Sequence, residues 1–218
     1  MKILSKKKYL RDGYIILSKY LDEKKIKKIK KHIIKKKPKV FDTFTKNLVR
    51  GWGNLLEDKN INSILRLNDL VNEVSKITNT NELKCNHIIV NNKPKWVGRD
   101  VEFHQEVFNK NTFAAGSSDK NIMENWVQLY LALEDENESN GGLFIIENSH
   151  KYGKLNYEDI VDGNSRHKRR VKIESLDKLL DKDCKLKFLK LKKGDLLIFS
   201  TFLVHASQNN ITNEDRMS

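Results

Sequence analysis

The chain has 218 residues, a third of them charged and 38% hydrophobic, which is enough for one domain with a sizeable core and excludes a disordered or fibrous chain. No run approaches the roughly 18 apolar residues of a membrane span, Met1–Lys8 lacks the apolar core of a secretory signal, and Cys85 and Cys184 form no CxxC, which argues against a disulfide framework or zinc ribbon and fits a cytoplasmic protein. The formal charge of +13 sits in the first 40 residues, where 16 basic side chains face three acidic ones.

Such a basic segment suits an anionic partner or a solvated lysine face. Lysine is abundant along the whole chain and no aromatic residue interleaves the lysine run, as a single-strand binding groove would require. The solvated face is the reading adopted, with no nucleic acid expected.

In chain order, Gly13–Leu17 reads as a turn and a short strand. Leu21–Ile34 reads as an amphipathic helix, with Ile26, Ile29, Ile33 and Ile34 on one stripe, Asp22 as N-cap and Leu21 with Ile26 as a hydrophobic staple. Residues 54–78 form a second helical stretch. From about residue 84 the pattern turns to strands: Cys85–Val90, Trp126–Leu133, Gly142–Ile146, the alternating Lys187–Leu191, and Leu196–Phe199 after the Gly194-Asp195 turn. Residues 151–185 form a polar insertion with one short helix near 175–180, of the kind that often serves as a lid. Helices followed by many short strands predict an α+β, mainly β fold, an antiparallel sandwich or jelly roll, as a single domain over 1–218.

Three signals carry chemistry. In Phe103-His104-Gln105-Glu106, residues i and i+2 of an extended strand point the same way, so an imidazole and a carboxylate converge, two of the three ligands of a 2-His-1-carboxylate centre. Alone, HxE also fits an ordinary surface strand. The apolar strand after Gly194 runs to His205, which could supply the third ligand from a distant strand. Arg216 follows eleven residues later on what should be the next strand, and a guanidinium clamps a carboxylate through two charge-assisted bonds. Ser207 could add a hydroxyl to the same carboxylate or simply be a turn serine.

These residues resemble the phytanoyl-CoA dioxygenase family of Fe(II)- and 2-oxoglutarate-dependent oxygenases. The resemblance lies in Tyr9–Leu17 followed by a helix, in Phe103–Glu106, in Asn140–Lys151, and in Gly194-Asp195 through His205 and Ser207 to Arg216. It covers most of the chain in the right order. It implies a double-stranded β-helix (cupin-like) with N-terminal helices packed on one sheet, Fe(II) on His104, Glu106 and His205, and 2-oxoglutarate on Arg216 with Ser207 beside it. Asn91, thirteen residues before His104, and Gln128 lie where further co-substrate contacts would fall, a buried structural amide being the alternative for each. It also implies that O2 is consumed and that a small-molecule substrate is hydroxylated as 2-oxoglutarate is split to succinate and CO2. The carboxylate ligand argues against halogenation, which needs that position for halide.

The chain departs from the family in three places. HxE stands for the usual HxD, as in other oxygenases of the superfamily. Glu147-Asn148-Ser149-His150 replaces Pro-Gly-Ser-His, with His150 read as structural. The sequence stops at Ser218, two residues past Arg216, so the domain is expected to be truncated or its last strand frayed. Trp96, Arg99, Phe108 and the loop 109–121 are expected to border the pocket, and Lys93, Lys95 and Arg99 lean weakly towards an anionic substrate. The competing readings are a catalytically impaired jelly-roll protein that binds a metal or small molecule, a zinc hydrolase on the same ligands, and a protein that binds polyanions or membranes through its basic N-terminus.

Overall fold

The computed structural model describes residues 2–37, 39–41, 48–53, 55–106, 125–160 and 169–218. Two antiparallel sheets face each other as a jelly roll. The smaller has the order β10 (Lys185–Phe188), β7 (Leu143–Glu147), β12 (His205–Ser207), β5 (Val101–His104). The larger comes in two parts. One is β1 (Tyr14–Leu17), β11 (Leu196–Ser200), β6 (Val127–Leu131); the other is β13 (Arg216–Met217), β4 (Val90–Lys93), β3 (Val49–Trp52), β2 (Lys39–Phe41). The Leu133 N–H donates to the Met217 carbonyl at 3.2 Å and joins the two parts just beyond β6. The antiparallel pair β8 (Tyr157–Asp159) and β9 (Arg169–Val171) forms a separate two-stranded sheet, with β9 packed on β5.

Strand β11 shows why its sequence is apolar from Leu196 to Phe199. All five residues are buried. Leu197 and Phe199 point between the sheets with Tyr14, Leu143, Ile145 and Leu203, whereas Leu196 and Ile198 point outwards to Tyr9, Leu70, Val74 and Ile77 on the helices. A strand covered on both faces has no place for alternation. The N-terminal helices lie on the outer face of the larger sheet, as expected. Helix α2 (Glu23–Ile33) buries Ile26, Ile29 and Ile33 there, at roughly 2 kcal/mol each, alongside Trp52, Val90 and Met217. Asp22 caps it by accepting from the Lys25 N–H at 2.8 Å, and Leu21 and Ile26 are both buried in the same cluster, as the staple requires. Ile34 is not part of the stripe: it follows the last turn and is 49% exposed.

Other boundaries differ from the sequence reading, each for a tertiary reason. The N-terminal lysines form α1 (Lys2–Asp12), anchored by Tyr9 among Ile15, Leu70 and Val74 and closed by Gly13 at φ 82, whose N–H donates to the Tyr9 carbonyl. The stretch 54–78 divides into α3 (Lys59–Leu65) and α4 (Asn68–Thr78), because Leu67 adopts an extended conformation between them. Cys85–Ile89 is not in a strand: pairing with β3 begins at Val90 and the register with β13 at Asn92. The strand expected at Lys187–Leu191 starts at Lys185 and ends at Phe188, after which the chain tucks Leu189 and Leu191 into the core. In the 151–185 insertion, the short helix is present as α5 (Ile173–Leu180), while residues 161–168 lie outside the described residues. The C-terminal strand is not frayed. Arg216 and Met217 are buried and registered on Lys93 and Asn92. No helix among the described residues is long and apolar enough to cross a membrane.

Candidate metal centre

His104 ends β5 and His205 begins β12, and the two are register partners across the antiparallel pair. Directly opposed residues project to the same face, so their rings meet at 4.1 Å between centroids. Glu106, two residues past His104, turns back to them: its Oε1 lies 3.7 Å from His104 Nε2 and 3.4 Å from His205 Nε2. The donor atoms of all three lie within 4.8 Å of one another. Neighbouring ligands at about 2.1 Å from a first-row divalent ion at right angles sit roughly 3 Å apart, so the three donors are spaced to share one ion.

The imidazoles are already in the form a metal needs. His104 Nδ1 lies 2.7 Å from the Glu102 carbonyl and His205 Nδ1 lies 2.9 Å from the Leu203 carbonyl. A carbonyl only accepts, so each Nδ1 carries the proton and each Nε2 presents its lone pair to the centre. Burial, and next the neighbouring His205, push His104 below the ordinary imidazole range and favour that neutral form. The Phe199 ring stands edge-on to His205 at 5.1 Å.

Gln105, between His104 and Glu106, points the other way and is 1% exposed. Its amide donates to the Phe202 carbonyl at 2.6 Å and the Gly153 carbonyl at 2.9 Å, and its oxygen accepts from the Leu155 N–H at 2.9 Å. Those three bonds tie the ligand strand to two neighbouring segments. The sequence reading gave Gln105 no role.

Arg216 lies in the same interior. Its Nη2 donates to the Gly141 carbonyl at 2.7 Å, and Nη1 faces Glu136 Oε1 at 3.3 Å, Ser218 Oγ at 3.2 Å and the Tyr130 hydroxyl. Glu136 was not foreseen, since it sits in the run Glu134–Glu136 that resembles a solvated turn. Lys93, opposite Arg216, donates to the Arg99 and Gln208 carbonyls. Burial, and next the Arg216 charge, push its amine down to about 7. Asn91 shares the Lys93 face of β4 by the period of two and exchanges both main-chain bonds with Ser218. Gln128 is the register partner of Phe199 and shares its interior face. Ser207 is buried on the His205 face of β12, opposite Leu143. The interior of the roll therefore collects all seven sequence-derived site residues.

The expected pocket border fares less well. Trp96 stands 64% exposed in a left-handed conformation on the β4–β5 connection, its N–H bonded to the Thr212 carbonyl. Arg99 is half-buried on the same connection, and Phe108 and 109–121 lie outside the described residues. His150 is structural, as expected: its Nε2 donates to the Leu10 carbonyl at 3.1 Å.

The fold is shared with solved structures of low sequence identity. EctD from S. alaskensis, solved with bound Fe, superposes with a TM-score of 0.74 at 18% identity over 98% of this chain and 73% of that one. The non-heme alpha ketoglutarate dependent epimerase SnoN from nogalamycin biosynthesis gives 0.72 at 14% identity, over 99% and 80%. AviO1 from Streptomyces viridochromogenes Tue57 gives 0.68 at 14% identity, over 100% and 91%. No curated protein sequence matches the chain. The profile of the phytanoyl-CoA dioxygenase (PhyH) family matches residues 9–218, from the helix that carries Tyr9 to the strand that carries Arg216, and the chain belongs to that family.

Proposed function

We propose that the chain is an Fe(II)- and 2-oxoglutarate-dependent oxygenase that uses O2 to hydroxylate a small molecule in the cytoplasm. The observation that carries this reading is the convergence of His104 Nε2, His205 Nε2 and a Glu106 carboxylate in the roll, with both imidazoles held in the metal-binding tautomer. Two imidazoles and one carboxylate leave open positions on the metal, the donor set of non-haem iron oxygenases. Membership of the family and the Fe and 2-oxoglutarate bound by EctD support the same choice.

When bound, iron with 2-oxoglutarate supplies the oxidising power, and the protein supplies position and exclusion of water. His104, Glu106 and His205 hold the ion. Arg216 holds the distal carboxylate of 2-oxoglutarate, with Ser207, Asn91 and Gln128 as polar neighbours on the interior faces. The apolar wall of Leu143, Ile145, Leu197 and Phe199 keeps bulk water from that space.

The test is an anaerobic titration of Fe(II) and 2-oxoglutarate, following the weak visible charge-transfer band of the chelate. The band is expected with the wild type and lost in His205→Ala, and succinate should form once O2 and a substrate are admitted. Absence of the band with metal demonstrably bound would overturn the reading and favour a jelly-roll binding protein.

A further inference from the structure

Glu136 is a buried carboxylate that the metal centre does not use. It is 2% exposed, and its Oε1 accepts from the Tyr130 hydroxyl at 2.6 Å and faces Arg216 Nη1 at 3.3 Å. Among the described residues its Oε2 is buried and makes no hydrogen bond of good geometry, although the Leu143 main-chain N–H lies near enough to the carboxylate to favour its charged form.

A guanidinium grips a carboxylate through two parallel N–H groups on one edge. Each nitrogen of Arg216 already faces an acceptor: Nη1 has Glu136, Tyr130 and Ser218, Nη2 has Gly141, and Nε points to the Asn140 carbonyl at 3.5 Å. Glu136 is the acidic member of that set. A co-substrate carboxylate arriving at Arg216 therefore meets another carboxylate at the same guanidinium.

We propose that Glu136 is a resident carboxylate that occupies Arg216 in the absence of co-substrate and competes with the distal carboxylate of 2-oxoglutarate, so that co-substrate binding takes up a proton onto Glu136. The proposal rests on the reading of Arg216 as the co-substrate arginine. Two carboxylates at one guanidinium disfavour each other's ionisation. The titratable groups facing Glu136 are Tyr130 from β6, Arg216 from β13 and Lys93 from β4. Burial keeps the Tyr130 phenol protonated. The Lys93 amine spends its donors on the Arg99 and Gln208 carbonyls. The proton comes from solvent and lands on the Glu136 carboxylate, away from the Oε1 lone pairs that Tyr130 and Arg216 take up. Burial already raises Glu136 above the ordinary carboxylate range, in the same direction.

The experiment is calorimetric titration of the Mn(II)-loaded full chain with 2-oxoglutarate at neutral pH, in two buffers of different ionisation enthalpy, for wild type and Glu136→Gln. The wild type is expected to take up a proton. The variant is expected to lose that uptake and to bind about fivefold tighter or more, within the usual range of coupling between sites. A Glu136 that merely props up Arg216 would instead bind 2-oxoglutarate more weakly once altered, and that result, or unchanged affinity, overturns the proposal. Uptake persisting in the variant assigns the proton to Lys93 and also overturns it. If Glu136→Gln does not fold, Lys93→Met decides: uptake retained supports Glu136, uptake lost refutes it. No binding of 2-oxoglutarate to metal-loaded wild type is a different failure, since it removes the co-substrate reading itself.

Discussion

Replacing Gln105 by alanine should weaken the metal centre without touching a ligand. Gln105 makes three hydrogen bonds, one fully buried to the Phe202 carbonyl and two part-buried to Gly153 and Leu155. A buried group left without its partner costs about 1–3 kcal/mol, and a part-buried one nearer 0.5–1.5 kcal/mol. Truncation should therefore cost roughly 3 kcal/mol, against a total stability on the order of 5–15 kcal/mol, so the variant still folds at room temperature. The consequence for the site comes from geometry. His104 and Glu106 flank Gln105, and among the described residues β5 pairs in its sheet with β12 only; β9 packs on its other side, with Arg170 paired to Glu102, and the three Gln105 bonds anchor the end of the strand that carries His104 and Glu106. Loosening them lets the His104–Glu106 spacing vary, and losing such supporting contacts typically costs 10–100-fold in metal affinity. Urea denaturation of the metal-free protein gives the first quantity, and competition between Mn(II) and a chelator gives the second. A loss below about 1 kcal/mol, or unchanged metal affinity, would refute the argument that Gln105 positions the ligands.

Arg216→Met should cost about 3–5 kcal/mol by stranding the Glu136 charge, and Arg216→Met combined with Glu136→Gln should lose less than the single variant. Additive urea midpoints would refute the pairing. For Lys93, the folded value of about 7 lies below the unfolded value near 10.4. The unfolded chain thus binds more protons between these values, and this residue's contribution makes stability rise as pH climbs from about 7 to about 10. Lys93→Met should flatten that rise by a few kcal/mol at most, and an unaltered slope in urea melts at both ends of the window would refute it. Gly194→Ala should destabilise by about 2 kcal/mol, because Gly194 sits at φ 93 and a methyl group there meets the Leu21 carbonyl. The expected fall in Tm is about 4–8 °C, and an unchanged Tm would show that the turn relaxes.

The parts of this molecule that were legible in the sequence are those whose cause is local. The α2 stripe and its Asp22 cap follow from spacing within one turn of chain, and the two-residue period that joins His104 to Glu106 follows from strand geometry. The elements misplaced from sequence depend on partners far along the chain. Strand β4 starts at Val90 because β3 begins to pair there, with β13 following from Asn92, and nothing in Cys85–Ile89 itself announces that it will not pair. Helix α1 holds through Tyr9, whose pocket, Ile15 apart, is built by residues 60 and more positions away. Glu136 was illegible for the same reason: two acidic neighbours make it look solvated, and only the arrival of Arg216 and Tyr130 turns it into a buried ion-pair partner.

The site is also divided between the two sheets in a way that ties its chemistry to the core. The histidines and Ser207 project from the smaller sheet, whereas Arg216, Asn91, Lys93, Gln128 and Tyr130 project from the larger one. On the proposed reading, a co-substrate that spans metal and arginine spans the gap between sheets. That gap is set by Leu143 and Ile145 on one side and Leu197 and Phe199 on the other. Close-packed interiors resist changes of even one methylene, so the distance from metal to guanidinium is fixed by the same side chains that stabilise the fold. Phe199 belongs to both, packed in the core and edge-on to His205. Precision at the metal and at the arginine thus does not require two separate scaffolds: one packed layer of apolar side chains positions both.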